Sequence, residues 1–196
     1  MKLNTNLQNT INEHNKIFNK ILNQKRSIEK IIRIIFKKIK TGGKILLCGN
    51  GGSAADAQHL AAEFLIRLRP KVNRKPIPAI SLSMDTSTLT ACGNDYKFED
   101  IFLRPFKALS TKKDILLIIS TSGNSSNILK VLSQAKKDKI TTIGFLGGKG
   151  GKAKKLCNYK LIVDSANTAR IQEAHIFLGH YIFENVEDLY LNNIKK

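Results

Sequence analysis

Apolar side chains return every three or four positions through residues 7–39 at the start of the chain. This spacing predicts amphipathic helix, because positions three and four apart share one face of a helix. A polar stretch at residues 23–27 predicts a break into two helices, with Ser27 as the N-cap of the second. Gly42 and Gly43 then predict the end of the helical region, because glycine commonly ends helices.

After residue 43 the pattern changes to short apolar runs separated by longer helical segments. Strands are predicted at residues 44–48, 79–82, 114–119, 141–146 and 160–163. Helices are predicted at residues 53–68, 87–91, 98–108, 125–138 and 169–191. Short, wholly apolar strands that alternate with helices are typical of a parallel sheet covered on both faces. The sequence therefore predicts an α/β domain at residues 41–196, which forms one structural unit with a helical extension at residues 1–40.

The composition narrows the class of protein. A length of 196 residues suits one domain with a full core. No run of about 18 uncharged apolar residues is present, which argues against a membrane span. The polar N-terminus lacks the apolar core of a signal peptide, which predicts a cytoplasmic protein. Cys48, Cys92 and Cys157 are odd in number and far apart, so we expect reduced packing residues.

The net charge of +18 raises the question of nucleic acid as a partner. Most of the 33 basic residues are scattered along the chain, and aromatic residues do not alternate with the few basic clusters. Because base-stacking surfaces need such aromatic residues, nucleic-acid binding is disfavoured. Attraction of an anionic small molecule is a sufficient role for the charge.

A glycine-rich turn follows the first predicted strand, with the sequence Cys48-Gly-Asn-Gly-Gly-Ser53. A strand, a tight turn and a helix aim backbone N–H groups and the positive end of the helix dipole at an anion. The pattern also fits the dinucleotide motif G-x-G-x-x-A, but the carboxylate expected about 20 residues later is missing. Arg67 and Arg69 occupy that region. A phosphorylated small molecule is therefore favoured over a nicotinamide cofactor.

A second loop repeats this design after the strand at residues 114–119. It holds four hydroxyl side chains around Gly123, namely Ser120, Thr121, Ser122 and Ser125. An ordinary capped turn needs only one serine. Four hydroxyls at the start of a helix favour a phosphate site, since hydroxyls and helix N–H groups are neutral donors.

Three side chains suggest a metal site. His59 and Glu63 are four residues apart and share a helix face, although many such pairs only lie on the surface. Alanines around them would allow close approach of a ligand. With His180 they would form a nitrogen and oxygen ligand set for Zn²⁺ if their two helices meet, which spacing alone leaves open. His14, in the N-terminal helix, is predicted to be structural.

Together these motifs closely resemble the phosphoheptose isomerase (sedoheptulose 7-phosphate isomerase) family of sugar-isomerase (SIS) domains. The resemblance covers nearly the whole chain and includes Gly93-Asn-Asp95, the loop at residues 147–152 and the Arg170-Ile-Gln-Glu motif. It implies a three-layer α/β/α flavodoxin-like fold with a parallel sheet. It also implies a homotetramer with sites between subunits and one Zn²⁺ per subunit. Residues 1–40 are expected to serve oligomerisation.

The resemblance further implies roles for individual residues. Glu63 is the expected base and His180 the expected acid. The expected zinc ligands are His59, Glu63, Gln172 and His180. The expected substrate-binding residues are Asn50, Gly51, Gly52, Ser53, Glu63, Asn94, Asp95, Ser120, Thr121, Ser122, Ser125 and Gln172. Some isomerases carry an Asp where this chain has Ala169. Any role of that Asp is therefore absent here or filled by another residue, such as Asp95 or Asp164.

The implied reaction converts sedoheptulose 7-phosphate to D-glycero-D-manno-heptose 7-phosphate through an enediol. It is the first step of ADP-heptose biosynthesis for the lipopolysaccharide core. The alternative is a non-catalytic SIS-domain binding module of the DnaA initiator-associating type, which lacks the Glu and the final His. This chain keeps both Glu63 and His180, so the isomerase is favoured.

Overall fold

The computed structural model describes residues 6–83 and 85–194, and it begins with two helices. These are α1 (Leu7–Ile21) and α2 (Lys25–Lys40), joined by one 3₁₀ turn at Leu22–Gln24. The predicted break is confirmed, but the prediction of Ser27 as N-cap is wrong. The 3₁₀ turn leads directly into α2, and its Leu22 carbonyl already accepts from the Lys25 N–H. A serine two residues further on is therefore inside the helix.

Strands and helices alternate through the rest of the described chain. The strands are β1 (Ile45–Gly49), β2 (Ala79–Ser81), β3 (Ile115–Ser120), β4 (Thr141–Gly147) and β5 (Tyr159–Val163). The helices are α3 (Gly52–Leu65), α4 (Thr86–Asp95), α5 (Leu103–Leu109), α6 (Ser126–Lys137) and α7 (Thr168–Ile194). Short 3₁₀ turns lie at Phe98–Asp100 and Lys152–Lys155. None of the described helices is both long and apolar enough to cross a membrane.

The five strands form one parallel sheet in the order β2-β1-β3-β4-β5. This is the strand order of the flavodoxin-like fold that the family resemblance implies. The direction of winding reverses between β1 and β3, and ligands of such sheets bind outside the carboxyl ends of the strands at that point. The glycine turn follows β1 and the hydroxyl loop follows β3, so both predicted anion loops lie at the reversal.

Helices cover both faces of the sheet, which confirms the predicted three layers. Alternate residues of β1 face opposite cores: Leu47 packs in the core with α1, α2, α3 and α7, and Cys48 in the core with α5 and α6. Ile17 and Ile32 of the N-terminal helices are buried in the first core. The three cysteines are all buried and free, as expected.

Helices α3 and α7 contact each other closely, although they are far apart in sequence. The rings of Phe64 and Phe183 stack with centroids 3.7 Å apart. One turn before each ring, Leu60 packs against Gly179, where an added Cβ would lie 2.6 Å from a Leu60 methyl carbon. The missing side chain at residue 179 therefore sets how closely the two helices approach.

We predict that Gly179→Ala lowers the free energy of unfolding by about 1–3 kcal/mol, because overpacking a buried contact outweighs the better helix propensity of alanine. Gly93→Ala is the matched control, since an added Cβ there meets no atom of the described residues within 4 Å. Urea unfolding in the presence of a chelator compares the two variants. Equal stability of Gly179→Ala and wild type would show that the α3–α7 contact adapts freely.

Candidate functional site

Three predicted metal ligands converge where α3 meets α7. His59 Nε2 lies 2.8 Å from His180 Nε2 and 3.3 Å from Glu63 Oε1. One ligand atom from each residue lies within 4.8 Å of the others. The His59 side chain is half exposed, whereas Glu63 is mostly buried. The two helices therefore meet, which the sequence alone leaves open.

This donor set fits Zn²⁺. Zinc prefers imidazole nitrogen and carboxylate oxygen at about 2.0–2.2 Å, and such ligands lie roughly 3.3 Å apart around a tetrahedron. The His59–Glu63 separation equals that edge, and the two imidazole nitrogens need to part by about half an ångström. Two imidazole nitrogens that face each other at 2.8 Å leave no room for protons on both. When each neutral ring carries its proton on Nδ1, both Nε2 lone pairs can face one cation.

Burial shapes the electrostatics of this cluster. Burial lowers the pKa of His180, and the neighbouring His59 lowers it further. Burial raises the pKa of Asp56, one turn before His59, although His59 partly opposes this. The Asp56 Oδ2 atom is buried and has no hydrogen-bond partner among the described residues. The site therefore favours a neutral ring at His180, the form that binds metal.

Gln172, the fourth predicted zinc ligand, lies on α7 beside the glycine turn. An added Cβ at Gly52 would be 2.6 Å from the Gln172 side-chain nitrogen. Gly51 has a φ of +56°, a conformation that favours glycine. Both glycines are thus required by local geometry, and the turn brings its backbone close to the side chain of Gln172. Ser53 is buried, and its N–H donates to the Asn50 carbonyl.

A pair of amides joins the glycine turn to the start of α6. Asn50 Nδ2 donates to Asn127 Oδ1 at 3.0 Å, and Asn127 Nδ2 donates back to Asn50 Oδ1 at 2.8 Å. Asn127 is buried at the start of α6, and its Oδ1 also accepts from the Ile128 N–H. Sequence reasoning missed Asn127. Its only signal was an amide on the apolar face of a predicted helix.

The hydroxyl loop is ordered by its own side chains. Ser120 Oγ accepts from the Gly123 N–H at 3.0 Å, and Ser122 Oγ accepts from the Asn124 N–H at 3.1 Å. Both hydroxyl hydrogens remain available to a ligand. Ser125 precedes α6, and its side chain makes no capping hydrogen bond among residues 6–83 and 85–194. Thr121 and Ser122 also line a surface depression at the ends of β3 and β4.

The loop at residues 147–152 supports the hydroxyl loop from the side. An added Cβ at Gly123 would be 2.2 Å from the Gly150 carbonyl oxygen, so the two backbones are in direct contact. The Ala153 N–H donates to the Gly123 carbonyl, and the Lys152 N–H donates to the Asn124 side chain. The hydroxyl loop is therefore held from one side by this loop.

Other predicted residues lie apart from this cluster in the single chain. Asn94 and Asp95 end α4, are exposed, and are joined by a hydrogen bond of 2.9 Å. Within the described residues, neither makes a hydrogen bond to the glycine turn or to the three metal-site residues. Asp164 pairs with Lys20 and Lys149, which lowers the pKa of Asp164. Asp164 is therefore already committed to surface ion pairs.

His14 joins α1 to α7. Its Nδ1 lies 3.0 Å from Glu173 Oε2, and its ring stacks on Phe18 with centroids 4.0 Å apart. Arg170 pairs with the same carboxylate. These contacts are those of a side chain that packs one helix against another, in line with the structural role expected for it.

Known proteins resemble this chain in both sequence and fold. A family model described as SIS domain matches residues 11–147. The phosphoheptose isomerase of Clostridium acetobutylicum is 51% identical over 160 residues, 82% of this chain and 81% of the relative. That of Campylobacter concisus is 45% identical over 188 residues, 96% of this chain and 98% of the relative. A solved phosphoheptose isomerase from Neisseria gonorrhoeae superposes with a TM-score of 0.85 at 34% identity, covering 93% of this chain and 97% of that one.

A buried histidine, His175, makes the free energy of unfolding depend on pH. His175 is fully buried on α7, and among the described residues neither ring nitrogen makes a hydrogen bond of good geometry, although the backbone of Leu146 lies close enough to oppose the effect of burial in part. Burial lowers the pKa of His175 to about 4. Since an unfolded chain binds this proton near pH 6.5, the unfolded state gains a proton first as the pH falls, and stability drops between about pH 6.5 and 4.

We predict that His175→Leu removes this share of the pH dependence. Between pH 7 and 5, wild type should lose about 2 kcal/mol more unfolding free energy than the variant, because each pKa unit corresponds to 1.36 kcal/mol. Urea unfolding with a chelator at both pH values measures the difference. The interval from pH 7 to 8 is the control, since His175 is neutral there in both states. Parallel curves from pH 7 to 5 would contradict the prediction.

Proposed function

Because the chain belongs to the phosphoheptose isomerase family of SIS-domain proteins, we propose that it interconverts sedoheptulose 7-phosphate and D-glycero-D-manno-heptose 7-phosphate. The observation that most supports this is the convergence of His59, Glu63 and His180 beside the helix that starts at the glycine turn. This aldose–ketose isomerisation would be the first step of ADP-heptose biosynthesis for the lipopolysaccharide core.

The chemistry needs one base that moves a proton between two carbons. The Glu63 carboxylate accepts the proton from carbon 1 of the ketose, which gives an enediol, and returns it to carbon 2. Glu63 suits this task because it is mostly buried yet lies beside two imidazoles that keep the site polar. A carboxylate held in place by its helix acts on a bound sugar without loss of orientation.

His180 is proposed to move the second proton, between the oxygens on carbons 1 and 2. Its pKa is lowered by burial and by His59, so its ring is neutral near pH 7 and can accept a proton. Its position on α7 places it across the cluster from the α3 residues. The base and the acid thus come from two helices, which allows them to address different atoms of the sugar.

His59, Glu63, Gln172 and His180 are the proposed ligands of one Zn²⁺ per subunit. When bound, this ion would supply a Lewis acid that stabilises negative charge on the sugar oxygens by several kcal/mol. A carboxylate that binds a metal tightly is a weaker base. Glu63 is therefore proposed to coordinate loosely, or to move away from the metal position when the sugar binds.

The phosphate is proposed to bind at the hydroxyl loop, through Ser120, Thr121, Ser122 and Ser125. The N-terminus of α6 adds backbone N–H groups and the positive end of its dipole. Asn50, Gly51, Gly52, Ser53 and Gln172 are proposed to hold the sugar chain between this loop and the metal. Phosphate binding then orients the reactive end of the sugar, since its binding energy is spent on positioning.

A homotetramer is the proposed assembly, with residues 1–40 as part of its interfaces. Large apolar side chains are exposed where α1 and α2 meet α7, among them Leu22, Phe177 and Tyr181. Contact between subunits would cover them, because soluble monomers rarely expose contiguous apolar patches. It would also allow Asn94 and Asp95 to serve a site formed with another subunit. A cytoplasmic location stays a prediction.

We predict that the purified protein isomerises sedoheptulose 7-phosphate when zinc is supplied, and loses activity with a chelator. Glu63→Gln should lower kcat by about 10²–10⁴-fold, because it removes the base and keeps the shape of the side chain. Zinc content by elemental analysis should fall less than kcat does, since the other three ligands remain.

Two further variants are compared with Glu63→Gln in this assay. Glu99→Gln makes the same chemical change at an exposed position of the 3₁₀ turn at Phe98–Asp100 and should leave kcat unchanged. His180→Gln should lower both zinc content and kcat. A near-wild-type kcat for Glu63→Gln would refute the assignment of the base. Absence of turnover with zinc, together with binding to a replication initiator, would favour the binding-module alternative.

We predict that Ser125→Ala raises KM for the phosphorylated sugar by about 2–10-fold, as expected for loss of one neutral hydrogen bond. A modest fall in kcat is also expected, because phosphate binding orients the sugar. Ser133→Ala is the control within α6, where the exposed hydroxyl donates to the Leu129 carbonyl. Steady-state kinetics with inorganic phosphate as inhibitor compares them. Unchanged KM and unchanged phosphate inhibition would place the phosphate elsewhere.

A further inference from the structure

The C-terminal end of α3 is held by an arginine from the segment that follows it. Helices leave their last carbonyls without intrahelical partners. In α3 the Glu63 carbonyl accepts from Arg74 Nη2 at 2.8 Å, and the Phe64 carbonyl accepts from Arg74 Nη1 at 2.9 Å. The Ile77 N–H also donates to the Phe64 carbonyl. Arg74 therefore binds the backbone of Glu63 itself, the proposed base and metal ligand.

The same guanidinium binds the helix that holds His180. Arg74 Nε donates to Glu187 Oε1 at 2.5 Å, and both side chains are fully buried. Glu187 lies on α7, seven residues after His180 and hence two turns along nearly the same face. Arg69 donates to the other oxygen of Glu187 at 2.6 Å. One planar group thus joins the backbone of Glu63 to the helix of His180.

Stability alone does not explain why Arg74 and Glu187 form a buried ion pair. Removing two charges from water is costly, and apolar residues of similar size often serve a fold equally well. Apolar contacts between α3 and α7 are already present, in the Phe64–Phe183 stack and at Gly179. Such contacts are non-directional and permit small slides along the helix axes. A guanidinium with donors in a rigid fork fixes direction as well as distance.

We propose that Arg74 is a positioning residue of the isomerase, which sets the placement of Glu63 relative to His180 and so the geometry of the metal site. The proposal rests on the proposed function for the roles of Glu63 and His180. Groups that orient metal ligands from behind typically change metal affinity 10–100-fold when they are altered. Arg74 acts through the main chain of a ligand, whereas most such groups bind the ligand side chain.

The test compares Arg74→Lys with Arg69→Lys in the full-length protein. Lysine at residue 74 keeps the charge beside Glu187 but is a single point donor, so it cannot bind Glu187 and two carbonyls in the fixed geometry of the fork. Arg69→Lys changes the other partner of Glu187. In the described part of the chain, the Arg69 side chain donates to Glu187 and Asp188 and not to the α3 carbonyls. Zn²⁺ affinity by competition with a chromophoric chelator, kcat, KM and the urea midpoint are measured for each.

Arg74→Lys should weaken Zn²⁺ binding and lower kcat by about tenfold or more. KM should change by less than about threefold, because the phosphate loop lies on another element. Arg69→Lys should keep the wild-type zinc affinity and kcat. A folded Arg74→Lys protein with wild-type zinc affinity and kcat would overturn the proposal, and so would equal losses in both variants.

Two further variants settle the case in which Arg74→Lys fails to fold. Glu187→Gln keeps the shape of the acceptor, and Arg74→Met with Glu187→Met removes both charges together. Loss of zinc affinity in whichever of these folds supports the proposal, and wild-type affinity overturns it. Zinc affinity also separates this inference from the proposed function. A wild-type protein that binds zinc without isomerising the sugar refutes the function and leaves the positioning test intact.

Discussion

The contact between α3 and α7 is the constraint on which the site depends. His59 and Glu63 come from a helix near the start of the domain, and His180 comes from the last helix. No local feature of the sequence brings these helices together. Their approach is set by a glycine opposite a leucine and by two stacked phenylalanines, all of which are buried in one core. The geometry of the cluster formed by His59, Glu63 and His180 is therefore a result of apolar packing, to which polar groups add direction.

The strand order of the parallel sheet is a second constraint on the site. Because β1 and β3 are neighbours at the reversal of winding, the glycine turn and the hydroxyl loop open on the same side of the sheet. The Asn50–Asn127 pair then joins the glycine turn to the first turn of α6 with two reciprocal hydrogen bonds. A substrate with a phosphate at one end and a carbonyl at the other needs such a fixed span. Sheet order and the amide pair would together provide it if the sugar binds as proposed.

The sequence predicted those parts of the site that depend on local patterns. Four-residue spacing placed His59 and Glu63 on one helix face, and the two anion loops followed from glycine and hydroxyl clusters after apolar strands. The Ser27 cap was wrong because the 3₁₀ turn at Leu22–Gln24 continues into the next helix, so the chain never needs a new start. Asn127 and Arg74 could not be identified, because their partners are distant in sequence and their own segments show no motif.

The end of α3 shows how tertiary contacts override a local pattern. Apolar spacing predicts a helix through residue 68, but α3 ends at Leu65. To continue, the N–H groups of Arg67 and Leu68 would have to donate to the Glu63 and Phe64 carbonyls. Arg74 and Ile77 bind those carbonyls instead. The contact that ends the helix thus also attaches Glu63 to α7, so helix length and site geometry are determined by the same hydrogen bonds.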